Sequence, residues 1–241
     1  MRCLLFFYLS FKDDHMAILS KRMKKAKEGA NPTATFPLRD AVKNVSKFPK
    51  VKFDETVELH FHLNIDLKAP DQAVRGTVAL PHGVGKKVRV AVFCTGDNVQ
   101  KAKDAGADHV GGADLVNKVN GGFMDFDCVV ATPDMMREIS KLGKVLGPRG
   151  LMPSPKAGTV TTDVVRTINE VKAGRIEFKS DKQGGIHVGI GKRSFNEDQL
   201  IENATHVIDA VNHAKPVSVK GNLIKTLAVS TTMGPGIKVT L

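Results

Sequence analysis

The residues best suited to bind a charged ligand lie in a basic segment between Lys141 and Val160. Its four glycines and three prolines within twenty residues predict a fixed loop without regular structure. Lys141, Lys144, Arg149 and Lys156 are spaced along it. A rigid basic loop suits a phosphate backbone, but a structural loop with solvated cations fits the sequence equally well.

A second candidate is the polar C-terminal segment Ser230–Gly236, which follows an apolar run. Its hydroxyls, including that of Thr232, suit RNA 2′-hydroxyls, and the side chain of Met233 can pack on a base or a sugar. Phe53, which follows Lys52, could pack against RNA in the same way. From composition alone, however, core filling is the better interpretation of Phe53.

Other arrangements that could bind a cofactor or a metal fail on spacing. The segment Gly83–Lys87 lacks a P-loop pattern, because Leu80 occupies the first glycine position and Lys87 the Ser/Thr position. His60 and His62 share one face of a strand, but no third or fourth metal ligand lies at a suitable spacing. No catalytic constellation is recognisable. We therefore expect no cofactor, no metal and no enzymatic activity.

The charge of the chain points to a polyanionic partner. Its 241 residues carry a formal net charge of +11. Ten Lys or Arg against two acids lie between Met16 and Lys52, so most of the excess is in this N-terminal arm. A solvated helix face is the alternative explanation for one basic run, but the excess over the whole chain favours nucleic acid.

The remaining composition excludes several classes of protein. The three cysteines form no close pair, which argues against a disulfide framework or a zinc knuckle. No apolar stretch approaches the roughly 20 residues of a membrane helix, so we expect no membrane contact. Residues 1–15 make a poor signal peptide, and we expect translation to start at Met16.

The pattern of apolar residues changes along the chain. In residues 56–65 apolar and polar side chains alternate, which predicts a half-buried strand of an antiparallel sheet. Similar strands are predicted at residues 74–80, 175–179, 186–190 and 223–231, with helices at 39–48 and 198–214. The middle instead has buried strands at 88–93 and 128–131 and a short extended segment at 107–110, between helices at 98–105, 113–119 and 133–142. That alternation predicts a parallel sheet covered by helices.

These patterns predict a two-domain protein of mixed α/β and α+β class. Residues 16–82 and 175–241 would form a discontinuous α+β domain, into which a Rossmann-like three-layer α/β domain of residues 83–174 is inserted. The chain would cross between them near residues 81–83 and 174, and these crossings would act as a hinge.

Five segments carry a resemblance to a known family. From residue 16 to the end, the chain resembles the bacterial ribosomal protein L-one family. The matching segments are DQAVRGTVALPHG (71–83), MDFD (124–127), the loop at 142–160, KAGR (172–175) and STTMG (230–234).

The resemblance implies a ribosomal function. Members of the family bind ribosomal RNA of the mobile stalk beside the exit site of the large subunit, through the domain built from both chain ends. They assist release of deacylated tRNA, and they repress translation by binding their own operon mRNA. A cytoplasmic protein that is monomeric when free of the ribosome is implied. A free RNA-binding regulator and, less favoured, a nucleotide-dependent enzyme are the alternatives.

The resemblance also assigns residues. The RNA-contacting positions would be Lys52, Phe53, Thr56, Glu58, Thr232, Met233 and Gly234, and Ser230 belongs to the same C-terminal motif. A further group would contribute from a hairpin at residues 175–189 and beyond: Lys179, Asp181, Lys182, His187 and Lys220. The resemblance replaces core filling as the interpretation of Phe53. It also moves the basic 142–160 loop away from the main RNA site.

Overall fold

The computed structural model describes residues 20–29, 34–66, 72–219 and 221–240. The helices are α1 (Lys21–Gly29), α2 (Leu38–Ser46), α3 (Asn98–Asp104), α4 (Ala113–Asn120), α5 (Met136–Ile139), α6 (Gly143–Leu146), α7 (Val164–Ala173) and α8 (Glu197–His213). The strands are β1 (Thr35–Phe36), β2 (Thr56–Leu63), β3 (Arg75–Ala79), β4 (Val90–Phe93), β5 (His109–Gly111), β6 (Cys128–Ala131), β7 (Arg175–Lys179), β8 (Gly185–Lys192), β9 (Ile224–Thr231) and β10 (Ile237–Val239). The expected start at Met16 lies outside the described residues.

A five-stranded sheet of order β1-β10-β9-β2-β8 combines strands from both ends of the chain. The interior strand β2 runs antiparallel to both of its neighbours, β8 and β9, as its alternation predicted. Its apolar side chains, such as Leu59 and Phe61, face a core that also contains Val42 of α2 and Val207 of α8. The polar side chains of β2 therefore point to the opposite face of the sheet.

A separate three-stranded sheet of order β5-β4-β6 is parallel throughout, which confirms the prediction for the middle of the chain. Alternate residues of β4 pack into different apolar clusters. Phe93 packs with Leu115 of α4 and Leu142, whereas Val92 packs with Ala102 of α3 and Ile168 of α7. The parallel sheet is thus covered by helices on both faces.

The strands β3 and β7 form a two-stranded antiparallel sheet where the chain passes between these two regions. Beside it, residues 81–88 and 171–176 line a cavity of about 690 Å³. Gly83 and Gly174 approach each other so closely that a β-carbon on Gly174 would overlap the backbone of Gly83. Both glycines also have positive φ angles, of 64° and 106°, which other residues rarely adopt.

The structure corrects several sequence-based expectations. The segment 141–160 is not free of regular structure, because α6 and a short 3-10 turn at Pro155–Ala157 lie within it. Pro155 begins that turn, where a missing N–H costs nothing, and Pro148 follows the end of α6. Helix α7 and the short strands β1 and β10 were not predicted. No helix in the described ranges is long and apolar enough to cross a membrane.

Candidate nucleic-acid interface

Two segments that are distant in sequence meet at the N-terminal end of β2. One is the approach to the strand, residues 52–56, and the other is the loop after β9. In the strand register, Val57 lies opposite Thr231, so the loop that follows β9 lies beside Thr56. We call the residues predicted to contact RNA at this place the strand-end patch: Lys52, Phe53, Thr56, Thr232, Met233 and Gly234.

Thr232 fixes the geometry of the patch through three hydrogen bonds to Thr56. The backbone N–H of Thr56 donates to Thr232 Oγ1 over 3.0 Å, and the N–H of Thr232 donates to the Thr56 carbonyl over 3.1 Å. The Thr232 hydroxyl in turn donates to the same carbonyl over 3.4 Å. The hydroxyl is therefore part of the internal scaffold while the residue stays exposed.

A buried ion pair lies beneath the patch. Glu55, only 1% exposed, accepts a hydrogen bond from Arg193 Nη1 over 2.7 Å. Its second oxygen accepts the backbone N–H of Met233 over 3.2 Å. Arg193 also donates to the carbonyls of Ser46 and Phe48. One buried charge pair thus ties together the end of α2, the approach to β2 and the C-terminal loop.

Gly234 and Arg22 also stabilise the loop that follows β9. A β-carbon on Gly234 would overlap Thr231 Oγ1 and come within 3.1 Å of Phe48 Cδ2, so the loop can close only around glycine. Arg22 of α1 donates to the Met233 carbonyl over 2.8 Å. The basic N-terminal arm is therefore attached directly to the C-terminal motif.

The patch exposes two large apolar side chains. Phe53 is 53% exposed and Met233 is 46% exposed, although both belong to residue types that normally fill cores. The core-filling interpretation of Phe53 is wrong, because the residue lies in the irregular approach to β2 and not on its buried face. Exposed apolar groups on a rigid, hydroxyl-rich scaffold are suited to packing against sugars and bases.

Two hydrogen bonds and one longer polar contact form a row across the polar face of the five-stranded sheet. We call its members, Ser230, His60, His187 and Asp181, the histidine chain. His60 Nε2 lies 2.7 Å from Ser230 Oγ, and its Nδ1 lies 2.8 Å from His187 Nδ1. His187 Nε2 lies 3.8 Å from Asp181 Oδ2. The histidine chain thus joins Ser230 of β9 to the turn between β7 and β8.

Burial, and secondarily the neighbouring His187, lowers the pKa of His60, while Glu58 acts in the opposite direction. A neutral His60 can donate from one ring nitrogen and accept at the other. The backbone N–H groups of Gly185 and Gln183 lower the pKa of Asp181. The carboxylate of Asp181 therefore holds the turn in place and remains charged next to His187.

The other predicted residues lie on β2 and around the turn between β7 and β8. Glu58 is half-buried on the same strand face as His60, 4.0 Å from its Nε2. Lys179 and Lys182 are exposed at the turn between β7 and β8. The predicted hairpin is not a paired ladder, because β7 pairs with β3 and β8 pairs with β2. Lys220 lies outside the described residues.

Several residues of the site were missed from the sequence. Lys192 Nζ donates to Thr56 Oγ1 over 3.0 Å, and Glu55 and Arg193 form the buried pair. Their partners are more than a hundred positions away in the chain, so no local pattern reveals them. The spacing of His60 and His62 argued against a metal site, but nothing in it predicted the hydrogen bonds of His60 to Ser230 and His187. Among the described residues, no cluster of His, Cys, Asp and Glu could hold a metal ion.

A mixed α/β fold of basic charge, with exposed apolar and hydroxyl groups fixed on a polar sheet face, has the character of an RNA-binding protein. Comparison of the sequence with known proteins identifies the family within this class. The model of the ribosomal protein L1p/L10e family matches residues 45–235. The chain belongs to this family. Because it is a family of ribosomal proteins, the predicted absence of enzymatic activity is confirmed.

Individual relatives agree with the family match. The large ribosomal subunit protein uL1 of Protochlamydia amoebophila is 53% identical over 222 residues, which cover 92% of this chain and 94% of the relative. The protein of the same name from Solidesulfovibrio magneticus is 50% identical, with coverages of 93% and 95%. That from Thermosipho africanus is 51% identical, with coverages of 91% and 95%.

Proposed function

We propose that this chain is a structural constituent of the large ribosomal subunit and binds ribosomal RNA through the strand-end patch. The observation that carries the proposal is the exposure of Phe53 and Met233 on a scaffold fixed by internal hydrogen bonds. Packing of these side chains on sugars and bases would recognise RNA shape, while Lys52 and α1 would attract phosphate. The histidine chain would extend the contact along the sheet.

The finer role follows the family resemblance. The RNA would be that of the mobile stalk near the exit site, and movement of the stalk would assist release of deacylated tRNA. The same patch would bind a stalk-like fold in the protein's own operon mRNA and repress translation. The protein would act in the cytoplasm and would be a monomer away from the ribosome.

The proposed domain organisation assigns binding and movement to different parts of the chain. Residues 16–82 and 175–241 would form the RNA-binding domain, and residues 83–174 would form an inserted Rossmann-like domain. The separate apolar clusters of the two regions support this division. The close contact between Gly83 and Gly174 would lie at the hinge.

Binding to the stalk RNA fragment over a series of salt concentrations tests the patch. We expect Met233→Ala to weaken binding by about tenfold, which corresponds to about 1.4 kcal/mol. Thr232→Val should weaken it at least as much, because it removes the acceptor for the Thr56 N–H. The slope of log affinity against log salt should stay unchanged in both variants, since neither removes a cation.

Val217→Ala is the matched control, because Val217 is also an exposed apolar residue but lies outside the patch. It should bind the fragment like the wild type. If Met233→Ala and Val217→Ala bind equally well, the patch is not the recognition surface. If the wild type shows no preference for the stalk fragment over unrelated RNA, the ribosomal proposal fails as well.

A second measurement separates a ribosomal constituent from a free RNA-binding regulator. We expect the native protein to sediment with large subunits through a sucrose gradient, and Met233→Ala to be partly released at the same salt concentration. A protein that binds the stalk fragment but stays at the top of the gradient would instead be a free regulator.

A further inference from the structure

The arginines of the chain divide into two groups by their partners. Of the nine arginines in the described ranges, seven donate to an acceptor of the protein itself: Arg22, Arg39, Arg75, Arg89, Arg166, Arg175 and Arg193. Within those same ranges, the guanidinium groups of Arg137 and Arg149 make no hydrogen bond or ion pair. The two arginines without a protein partner therefore lie only twelve positions apart, in the segment that contains the basic loop.

The unpartnered arginines belong to a row of cations. Helix α5, a 3-10 turn at Ser140–Leu142 and helix α6 follow one another without a break. Their buried side chains include Ile139, Leu142 and Leu146, whereas Arg137, Lys141 and Lys144 are exposed. Positions three and four residues apart share one face of a helix. The three cations thus line the face opposite the core.

A rigid turn places Arg149 at the end of this row. The N–H of Gly150 donates to the Gly147 carbonyl over 3.0 Å, and the N–H of Leu151 returns to the Leu146 carbonyl over 3.1 Å. These hydrogen bonds close the backbone on both sides of Arg149 without engaging its guanidinium. The side chain is held at the tip of an ordered turn and faces solvent.

We propose that Arg137, Lys141, Lys144 and Arg149, here called the cationic ridge, bind the phosphate backbone of a helical RNA. In the described chain no acidic side chain forms an ion pair with any of the four, so their charge is available to a ligand. Guanidinium groups bind phosphate in a two-pronged geometry, and lysines add point charges. Such contacts bind RNA through its backbone and do not read its sequence.

The surface chemistry favours RNA over an acidic protein. Protein interfaces depend on buried aromatic or aliphatic anchors at their centre. In the described residues, the exposed large apolar side chains are Phe53, Val165, Val217 and Met233, and none of them lies on the ridge. A surface that offers cations and no apolar anchor suits a polyanion that binds through its charge.

The ridge would be a second RNA-binding surface, independent of the strand-end patch. The residues beneath it, such as Ile139 and Leu146, pack in a different apolar cluster from Leu59 and Phe61 of β2. One chain would then hold one RNA by shape and a second RNA segment by charge. Because the two surfaces use different chemistry, substitutions can abolish RNA binding by one surface and leave binding by the other intact.

The test measures binding of the full chain to a short RNA duplex of unrelated sequence over a series of salt concentrations. The variant Arg137→Gln/Lys141→Gln/Arg149→Gln removes three ridge cations. We expect it to bind the duplex at least tenfold more weakly at low salt. Its slope of log affinity against log salt should be shallower by about 2 to 3, since each phosphate contact in a duplex contributes about 0.9.

The control variant Lys101→Gln/Lys103→Gln/Lys118→Gln makes the same change in net charge. These three lysines are exposed and, within the described chain, have no acceptor for their ammonium groups. The control should keep a slope close to that of the wild type. If log affinity for the duplex changes with log salt equally in the ridge variant and in the control, the proposal is overturned. The loss of affinity would then depend only on the total charge of the chain.

Binding to the stalk fragment separates this proposal from the proposed function. The ridge variant should keep the wild-type preference for the stalk fragment over the duplex, and Met233→Ala should lose that preference while still binding the duplex. If the ridge variant loses the preference while its thermal unfolding is unchanged, the ridge belongs to the main site and is not a separate surface.

Discussion

The strand-end patch and the cationic ridge expose two different kinds of side chain. The patch exposes Phe53 and Met233 on a backbone fixed by internal hydrogen bonds. The ridge exposes Arg137 and Arg149, which make no contact with protein acceptors in the described chain. Beneath the patch, Glu55 and Arg193 pair with each other, whereas the cations of the ridge have no acidic partner in the described chain.

In the proposed function, this difference would separate the specificity of RNA binding from the attraction to phosphate. Apolar and hydroxyl groups recognise a particular RNA shape only if they are held in one geometry, and the buried ion pair beneath the patch supplies that rigidity. Cations need less precise placement, because phosphate attraction tolerates small displacements and depends on salt. Variants of the scaffold should therefore damage the patch far more than the ridge.

The largest effect is expected from Glu55→Ala. Glu55 and Arg193 are both largely buried, so removal of the carboxylate leaves a buried guanidinium without its countercharge. Breaking a buried pair in this way costs about 3–5 kcal/mol. We expect the free energy of unfolding, measured by urea titration, to fall by about that amount. Binding to the stalk fragment should fall further than in Met233→Ala.

Asp54→Ala provides the control for this prediction. Asp54 precedes Glu55 but is exposed, and it accepts hydrogen bonds from Ser194 at the surface. The two hydrogen bonds that Asp54 accepts contribute about 0.5–1.5 kcal/mol each, so the loss should stay below that of Glu55→Ala. Similar losses for the two variants would show that the buried pair does not hold the patch.

A smaller effect on the patch is expected from Gly234→Ala. The added β-carbon would overlap Thr231 Oγ1, and the buried Thr231 cannot move away without displacing the strand end. Overpacking of this kind costs about 1–3 kcal/mol. We expect a lower melting temperature and roughly tenfold weaker binding to the stalk fragment. Gly236→Ala, where a β-carbon meets nothing within 4 Å, should behave like the wild type.

The sequence predicted the longer strands of the fold but not all of its elements. The alternation in residues 56–65 predicted β2, and the apolar runs predicted β4 and β6, because strand periodicity is a local signal. The short strands β1 and β10 have two and three residues and carry no periodicity. Helix α7 was not predicted although the spacing of Val164, Ile168 and Val171 is helical, because it directly follows a segment rich in glycine and proline, which indicates irregular structure.

The candidate site was predictable only in part. The motif Ser230–Gly234 predicted the C-terminal loop. Composition alone predicted that Phe53 fills the core, and only the family resemblance predicted that it contacts RNA. The pair Glu55–Arg193 joins residues 138 positions apart, and nothing local distinguishes it from other charged residues. Among the described arginines, the lack of an acceptor for Arg137 and Arg149 is likewise a property of the folded structure, and no local pattern in the sequence indicates it.

The smallest effect, and the most direct test of the contrast between patch and ridge, is expected from Gly147→Ala. A β-carbon there would lie 2.5 Å from the Gly143 carbonyl oxygen, so the turn that carries Arg149 must shift, as the patch loop must in Gly234→Ala. The steric conflict resembles that in Gly234→Ala, but we expect a different result for binding. Because phosphate attraction tolerates displacement, affinity for the RNA duplex should fall by only about threefold, with a slope change of about one contact or less.

Gly143→Ala is the control for the ridge, because a β-carbon there meets nothing within 4 Å and alanine favours the helical turn by up to about 1 kcal/mol. It should bind the duplex like the wild type and unfold at the same or a slightly higher temperature. If Gly147→Ala weakens duplex binding as severely as Gly234→Ala weakens stalk binding, Arg149 requires a fixed position. The ridge would then recognise one defined phosphate arrangement, and its contrast with the strand-end patch would be one of chemistry alone and no longer one of rigidity.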